Sequence, residues 1–315
     1  MPASESYVCT LSAEMVTRAK EELNEDPVRR DQDIQAVRDW LSKQPHIRAR
    51  TDADFLLRYL RGCKFSLEKT KSKLETYYTC KGALPNFFKG RDPKDPHMKN
   101  ILNLGLMVPL PGYDNLGRRV ILGRLGAWDP NKVKPEDLFK AGSMLLDVLF
   151  MEDEQISVTG FVQLHDMDDF TIKHVSAFTL PLVKSFMTTW TEGYPIRPKG
   201  VHYINTPSAF DAIYTIFKRF MKEKMKKRIK FHGSNVKELY SHIPKEILPQ
   251  EYGGSAGTFK QLNEEWVRKI EAKRDWFLED EHFKVDESKR VGKSSTASDL
   301  YGTGTGGSFR KLELD

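Results

Sequence analysis

Several features are scarce in this sequence, and each scarcity excludes a class of protein. The three cysteines, Cys9, Cys63 and Cys80, are odd in number and outside any metal-binding spacing. No apolar run approaches the length that spans a bilayer. Residues 1–15 lack the basic and apolar segments of a signal peptide, and no Asn-x-Ser/Thr acceptor occurs. We therefore expect a cytoplasmic protein from a reducing compartment.

A large excess of one charge is also missing. The formal net charge is +6, with 39% hydrophobic and 30% charged residues, which is ordinary for a globular protein. A modest positive charge that is concentrated in a few places favours an anionic membrane surface over a nucleic-acid partner. We therefore expect transient, peripheral association with membranes and no binding of nucleic acid.

What is present is an apolar strand followed by a basic helix, within residues 194–234. The run Val201–Ile204 is typical of a buried strand. Thr206 is a good N-cap and Pro207 suits the first helical position, so a helix should begin at Pro207. Its apolar stripe on a helical wheel consists of Ile213, Phe217, Phe220 and Met221.

Two cations continue that stripe if the helix extends further. Most lysines of the segment fit a solvated face. Lys224 and Arg228, however, occupy the sector that should be packed. They predict an anion near the helix end, such as a phosphate or a lipid headgroup.

The chain divides into four predicted segments. Residues 1–95 read as helices, with Ser12, Asp31, Asp52 and Ser66 as N-caps. After a turn-rich junction, residues 96–256 alternate strands and helices, which predicts a mainly parallel sheet flanked by helices. A long helix follows over residues 257–284. Residues 285–315 are rich in Lys, Ser, Thr and Gly and read as a disordered tail, with at most a docking peptide at Phe309–Leu312.

Motifs that resemble catalytic or nucleotide sites lack their context. The glycine string at 302–307 has no strand before it, and Gly292-Lys293-Ser294 lacks the first glycine of a P-loop. The acidic run after His165 suits helix capping better than metal binding or acid–base chemistry. His202 is interpreted as a core histidine. We expect no catalytic residues, no metal and no cofactor.

Apolar bulk is unusually dense between residues 144 and 196. Phe161, Phe178, Phe186, Trp190 and Ile196 are among its members. They could fill a core or line a cavity in which a few polar groups orient an apolar ligand. The residues alone leave both options open.

Four separated motifs resemble the CRAL-TRIO lipid-binding family, and especially its tocopherol-transfer and retinaldehyde-binding members. They are the segment Asp54–Phe65, the strand-to-helix stretch Gly200–Pro207, Arg228–Gly233 and Leu248–Gly254. The resemblance covers about residues 30–280. It implies a small all-α N-terminal domain and an α/β domain whose pocket is closed by a gate helix over about residues 207–220.

The resemblance also implies two sets of binding residues. Lipid-lining positions carry over to Ser143, Asp147, Phe161, His165, Phe178, Phe186, Thr189, Trp190, Tyr194 and Ile196. Phosphoinositide-binding positions carry over to Arg197, Lys199, Lys224 and Arg228. Asp147, His165 and Trp190 are larger or more polar than the family leads one to expect, so the ligand need not be tocopherol or retinal.

The function implied is that of a monomeric, cytosolic lipid-transfer protein. It would hold one tocopherol-like, retinoid-like or other hydrophobic molecule and release it at membranes that contain phosphoinositides, including phosphatidylinositol bisphosphate. One alternative is a signalling scaffold on the same fold with a filled pocket. Another is a hydrolase that uses His165 and Asp166.

Overall fold

The computed structural model describes residues 7–208, 210–234, 236–292 and 300. Within them the chain begins with helices, as expected. Their bounds are α1 (Ala13–Leu23), α2 (Arg30–Ser42), α3 (Ala53–Gly62), α4 (Leu67–Ala83), α5 (Pro85–Phe88) and α6 (Pro96–Asn103). The side chains of Ser12 and Asp52 cap α1 and α3 by accepting bonds from the N–H groups of Met15 and Phe55.

The capping prediction for α2 was wrong. This helix begins at Arg30, so Asp31 lies inside its first turn instead of capping it. The reason is local, because Arg29 and Arg30 both donate backbone bonds to the Asp26 carbonyl and form a turn ahead of the helix. Ser66 stands at the N-cap position of α4, but its side chain makes no capping bond.

A five-stranded sheet in the order β1-β2-β3-β4-β5 forms the centre of the rest of the chain. The strands are β1 (Met107–Pro109), β2 (Arg119–Arg124), β3 (Phe161–Asp166), β4 (Pro198–Ile204) and β5 (Ile229–Phe231). β1 is antiparallel to β2, and all other pairs are parallel. The mainly parallel sheet predicted from the alternating pattern is thereby confirmed.

Helices cover this sheet. They are α7 (Pro135–Glu152), α8 (Gln155–Thr159), α9 (Ile172–Ser176), α10 (Leu180–Thr188), α11 (Phe210–Lys218), α12 (Glu223–Lys226), α13 (Val236–Leu239), α14 (Phe259–Ala272) and α15 (Arg274–Asp280). A π-helical turn, Thr189–Gly193, extends α10. The long C-terminal helix of the sequence analysis is therefore two helices, α14 and α15, which meet at Lys273.

The basic helix is shorter than predicted. The backbone at Pro207 only forms a turn, with its carbonyl accepting from Phe210 N–H, and α11 ends at Lys218. The next N–H groups bond three residues back, and Lys222 is extended before α12 begins. Like charges four residues apart, as at Lys218 and Lys222, disfavour a continuous helix. Lys224 and Arg228 therefore do not continue the apolar stripe of α11, and the helical-wheel prediction for them was wrong.

The segment after α15 packs on the N-terminal helices. Val285 donates to the Tyr78 carbonyl at 3.2 Å and is buried, and Arg290 forms an ion pair with Glu75. A disordered tail was expected to begin at residue 285, but Val285 and Arg290 are packed against the N-terminal helices. The glycine string at 302–307 and the Phe309–Leu312 segment lie outside the described residues.

Candidate functional site

A cavity of about 850 Å³ lies between the sheet and the helices on one of its faces. Its floor consists of alternate residues of two central strands, namely Phe161, Gln163 and His165 of β3 with Val201 and Tyr203 of β4. Their neighbours His202 and Asp166 point to the other face, because successive strand residues alternate. The interior is therefore hollow, whereas the scaffold alternative required a filled pocket.

Apolar side chains from five helices form the walls. They include Ile101 and Leu102 of α6, Leu138, Phe139, Leu145 and Leu146 of α7, Phe186 and Met187 of α10, Ile213 and Phe217 of α11, and Trp266, Val267 and Ile270 of α14. No carboxylate occurs among the residues that line the cavity in the described part of the chain. A cavity of this size and polarity suits an apolar small molecule.

The helix α11 closes one side of the cavity, in the place where the sequence analysis expected a gate. The ring of Phe217 packs against Phe178 and Phe186, with centroids 5.9 and 6.0 Å apart. At the other end of α11, Phe210 lies 4.8 Å from Tyr203. The Phe217 contacts are edge-to-face and the Phe210 contact is tilted, so these three contacts of α11 are aromatic and include no hydrogen bond.

Six of the ten predicted lining residues face the cavity. They are Phe161, His165, Phe178, Phe186, Trp190 and Ile196. The other four lie elsewhere. Thr189 is buried in the π-helical turn, where its hydroxyl donates to the Ser185 carbonyl at 2.8 Å. Tyr194 packs in the core of the N-terminal helices, 5.2 Å from the ring of Tyr77.

Asp147 and Ser143 were predicted to orient a ligand, but both are engaged behind the cavity wall. Arg91 donates to an Asp147 carboxylate oxygen at 2.7 Å and to the Ser143 hydroxyl at 3.2 Å. Arg91 also pairs with Asp280, which pairs with Arg50 and Lys81. We call Arg50, Lys81, Arg91, Asp147 and Asp280 the ionic cluster. A buried carboxylate needs a partner of opposite charge, and Arg91 on the N-terminal side supplies it.

The polar groups that remain on the cavity floor have no such partners. His165 is 8% exposed, and no hydrogen bond to either of its ring nitrogens is found among the described residues. Burial lowers the pKa of His165 to about 4, so the ring is neutral at pH 7. Gln163, two residues earlier on the same strand face, the phenol of Tyr203 and the buried indole N–H of Trp190 are further polar groups in this part of the lining.

His165 and Asp166 do not form a catalytic pair. They point to opposite faces of the sheet. Asp166 accepts bonds from the Tyr252 hydroxyl at 2.7 Å and from the Asn205 amide at 2.9 Å. It therefore ties the end of β3 to the loop after β4, as expected for an acidic residue at a strand end. His202 is a buried histidine with a hydrogen-bond partner, as interpreted, since it contacts His232 at 2.8 Å.

Cations surround the place where the cavity reaches the surface. We call these residues the basic mouth: Lys64, Lys69, Lys73, Arg197, Lys199, Lys222, Lys224 and Arg228. The structure thus brings the four predicted cations together. Lys224 is exposed and pairs with no acidic residue in the described ranges, whereas Arg228 also donates to the Pro198 carbonyl.

The basic mouth carries more positive charge than its acids neutralise. Glu22 of α1 lies 3.8 Å from Arg197 and 3.6 Å from Lys199, and Glu192 lies 2.9 Å from Lys222. Burial and the nearby Arg197 lower the pKa of Lys199 to about 8. An anion bound here would relieve that repulsion, and phosphate is a suitable anion because it accepts several charge-assisted hydrogen bonds.

Some of these residues were not predicted from the sequence. Gln163 could have been found from the alternation of β3, because it lies between two predicted lining residues. Lys64, Lys69 and Lys222 carry no comparable local signal. Lys64 and Lys69 reach the mouth because the N-terminal helices pack against the segment before β4, where Lys73 of α4 donates to the carbonyls of Thr191 and Tyr194. Lys222 reaches it from the start of α12.

Two features are absent from the residues that the structure describes. No group of three or more His, Cys, Asp or Glu side chains there is arranged to hold a metal ion. No helix in those ranges combines the length and the apolar character needed to cross a bilayer.

Comparison with known proteins places these features in a family. The family model of the CRAL/TRIO domain matches residues 104–254, and that of the Pinta-like UBA domain matches residues 26–98. The chain is 36% identical to mouse alpha-tocopherol transfer protein-like over 81% of its length and 74% of that protein's. It is 34% identical to the human protein of that name, over 89% of this chain and 80% of the other.

A second group of relatives has a different name. Human clavesin-2 is 35% identical over 78% of this chain and 75% of its own length. The solved structure of Sfh5 superposes with a TM-score of 0.45 at 13% identity, over 85% of this chain and 99% of that one. Because the relatives at 34–36% identity cover more than two thirds of both chains, this chain belongs to the CRAL-TRIO family.

Proposed function

We propose that this protein is a lipid carrier that shields one hydrophobic small molecule from water, and not an enzyme. The cavity of about 850 Å³ is the observation that carries the proposal. Burying one CH₂ group stabilises a complex by roughly 0.8 kcal/mol. A ligand with a dozen carbons in the cavity would therefore gain about 10 kcal/mol relative to water, before the entropic cost of binding.

The relatives support the same class of ligand. Those named alpha-tocopherol transfer protein-like carry a lipid and a transfer role in their names. A tocopherol-like or retinoid-like molecule, or another lipid of similar size, is the ligand that we propose for this chain. We place its action in the cytosol as a monomer.

Release requires a change of environment, because a firmly bound apolar ligand does not leave into water. We propose that the basic mouth binds phosphoinositide headgroups, with Arg197, Lys199, Lys224 and Arg228 as contacts. The gate helix α11 then turns its apolar side toward the bilayer. The aromatic contacts of Phe217 and Phe210 support this role, since they exchange readily for contacts with lipid.

Mass spectrometry of the protein purified under native conditions tests the carrier proposal. We expect a stoichiometric lipid that extraction with organic solvent removes. A protein that emerges without lipid, and that takes up none from vesicles of mixed cellular lipids, would contradict the proposal.

A vesicle assay tests the proposed release step. The variant Arg197→Ala/Lys224→Ala/Arg228→Ala should transfer the bound lipid more slowly to phosphatidylcholine vesicles containing a phosphoinositide bisphosphate. Transfer to pure phosphatidylcholine vesicles should not change.

Lys43→Ala/Lys132→Ala/Lys260→Ala removes the same charge at sites outside the cavity lining and is the matched control. Because Arg197 also donates to the Val158 carbonyl, Lys224→Ala alone reports on charge without loss of an internal bond. Equal transfer by all variants would reject the phosphoinositide role.

A further inference from the structure

The cavity has two polar regions of different character. The basic mouth is cationic, while the floor around His165 is uncharged. Lys199 and Tyr203 lie four residues apart on β4, a separation of about 13 Å along a strand. Tyr203 is the register partner of His165. A group that contacts His165 is therefore well separated from one bound at the mouth.

The position of His165 is built into the sheet. Gly123, His165 and Tyr203 occupy one row across β2, β3 and β4. A side chain at position 123 would place its Cβ 2.6 Å from Nδ1 of His165, so only glycine leaves room for the imidazole. On its other side the ring packs 5.2 Å from the ring of Tyr203. Packing therefore fixes the ring, although no hydrogen bond in the described residues does.

Leaving such polar atoms unpaired in an apolar interior is unfavourable. An unsatisfied buried donor or acceptor lowers stability by about 1–3 kcal/mol, so native structures mostly avoid it. Here His165, Gln163 two residues away, and the Trp190 N–H all border the same cavity. Nδ1 of His165 lies against Gly123 and is inaccessible, as is the Trp190 N–H. The groups that a ligand in the cavity can reach are therefore Nε2 of His165 and the amide of Gln163.

We propose that His165 and Gln163 form a neutral anchor that selects an uncharged lipid carrying a hydroxyl or carbonyl oxygen, in preference to a fatty acid or a hydrocarbon. The inference rests on the proposed carrier function. A neutral imidazole can donate to or accept from a hydroxyl, and the glutamine amide can do both at once. A carboxylate at this position would meet no cation, and a buried unpaired charge is strongly unfavourable.

The low pKa of His165 agrees with this selection, because the ring stays neutral throughout the physiological range. No lining residue in the described ranges carries a negative charge, so an amine would gain nothing either. A fatty acid could still enter with its carboxylate at the basic mouth, and the test separates that orientation.

The experiment compares three radiolabelled lipids of equal chain length: octadecane, octadecanol and octadecanoate. Each is offered to the full-length protein, stripped of lipid, from phosphatidylcholine vesicles. We expect the wild type to retain octadecanol in preference to the other two. His165→Phe, which keeps a ring of similar size, should lower the octadecanol-to-octadecane ratio about three- to tenfold, as expected for one lost hydrogen bond. His165→Gln should keep most of the preference.

Several outcomes would decide against the anchor. An unchanged ratio in His165→Phe, with octadecane still retained, would overturn it and leave the carrier function intact. A wild-type preference for octadecanoate that is lost in Lys224→Ala would show that the mouth binds the head instead. Should His165→Phe prove unstable in thermal unfolding, Gln163→Leu provides the second variant, with the same expected fall in ratio. Retention of none of the three lipids by the wild type would overturn the selection proposed for His165, and together with a protein purified without lipid it would also overturn the carrier function.

Discussion

The ionic cluster and the cavity floor are both sets of buried polar groups, and they lie on opposite sides of α7. In the cluster, Asp280 contacts Arg50, Lys81 and Arg91, and Arg91 also holds Asp147. On the floor, Nδ1 of His165 has no hydrogen-bond partner in the described residues. The difference teaches that buried groups which pair with one another stabilise the fold, whereas unpaired ones beside a cavity are candidates for contact with a ligand.

The largest expected effect breaks the ionic cluster. Burial alone would raise the pKa of Asp280, yet Lys81 and Arg91 bring it below its usual value, so the carboxylate is charged. Asp280→Asn leaves three buried cations with a single buried carboxylate, that of Asp147, and the free energy of unfolding should fall by about 3–5 kcal/mol. Urea denaturation measures this. Asp275→Asn, at an exposed position of the same helix, is the control and should change stability by less than about 0.5 kcal/mol. Equal stability of the two variants would show that the cluster is not structural.

The second prediction concerns pH. The pKa of His165 is about 4 in the folded protein and near 6.5 in the unfolded chain, so the unfolded chain binds more protons between these values. Stability from this residue is therefore complete above pH 6.5 and declines as the pH falls toward 4, by about 3 kcal/mol in all.

The variant His165→Phe isolates this contribution. Its unfolding free energy should be less dependent on pH between 6.5 and 4 than that of the wild type, measured by urea denaturation at a series of pH values. At pH 7 it should be as stable as the wild type or slightly more so, because an unpaired polar group is removed. A parallel pair of pH curves would mean that His165 is protonated or paired in solution.

A smaller effect is expected from Gly123→Ala. The added Cβ would meet the imidazole of His165 at 2.6 Å, and overpacking of this kind destabilises by about 1–3 kcal/mol. The double variant Gly123→Ala/His165→Ala removes the clash, so the two substitutions should couple in a double-mutant cycle. Additive losses in unfolding free energy would mean that the imidazole of His165 does not contact position 123.

The contrast between the ionic cluster and the cavity floor also shows how far the site could be predicted from the sequence. The family resemblance placed Phe161 and His165 in the cavity lining, and the alternation of side chains along β3 explains why both face the cavity. The same resemblance placed Asp147 and Ser143 in the lining, but in the structure both contact Arg91 behind the cavity wall. Arg91, which engages both, comes from the loop before α6, more than fifty positions away in the chain. No periodicity within α7 reports such a partner.

The fold shows the same division. Strands and the caps at Ser12 and Asp52 follow local rules and were predicted. The end of α11 at Lys218 depends on the backbone turn that follows it and on repulsion among neighbouring lysines. The contribution of Lys64 to the basic mouth depends on how two distant segments pack. These are tertiary properties that a helical wheel does not contain.

The smallest expected effect concerns the mouth, where paired and unpaired charges lie side by side. Glu22 lies near Arg197 and Lys199 and competes with any anion that binds them. Removing its charge in Glu22→Gln should strengthen binding to phosphatidylcholine vesicles that contain a phosphoinositide bisphosphate. The gain should not exceed about fivefold, because a partly exposed ion pair contributes at most about 1 kcal/mol.

Glu21→Gln makes the same change of charge at the neighbouring exposed position and should have less effect. Vesicle co-sedimentation at low and high salt measures both variants. The advantage of Glu22→Gln should shrink as salt screens the mouth, and an advantage that is equal for Glu21→Gln would mean that net charge, and not contact with Arg197 and Lys199, is responsible.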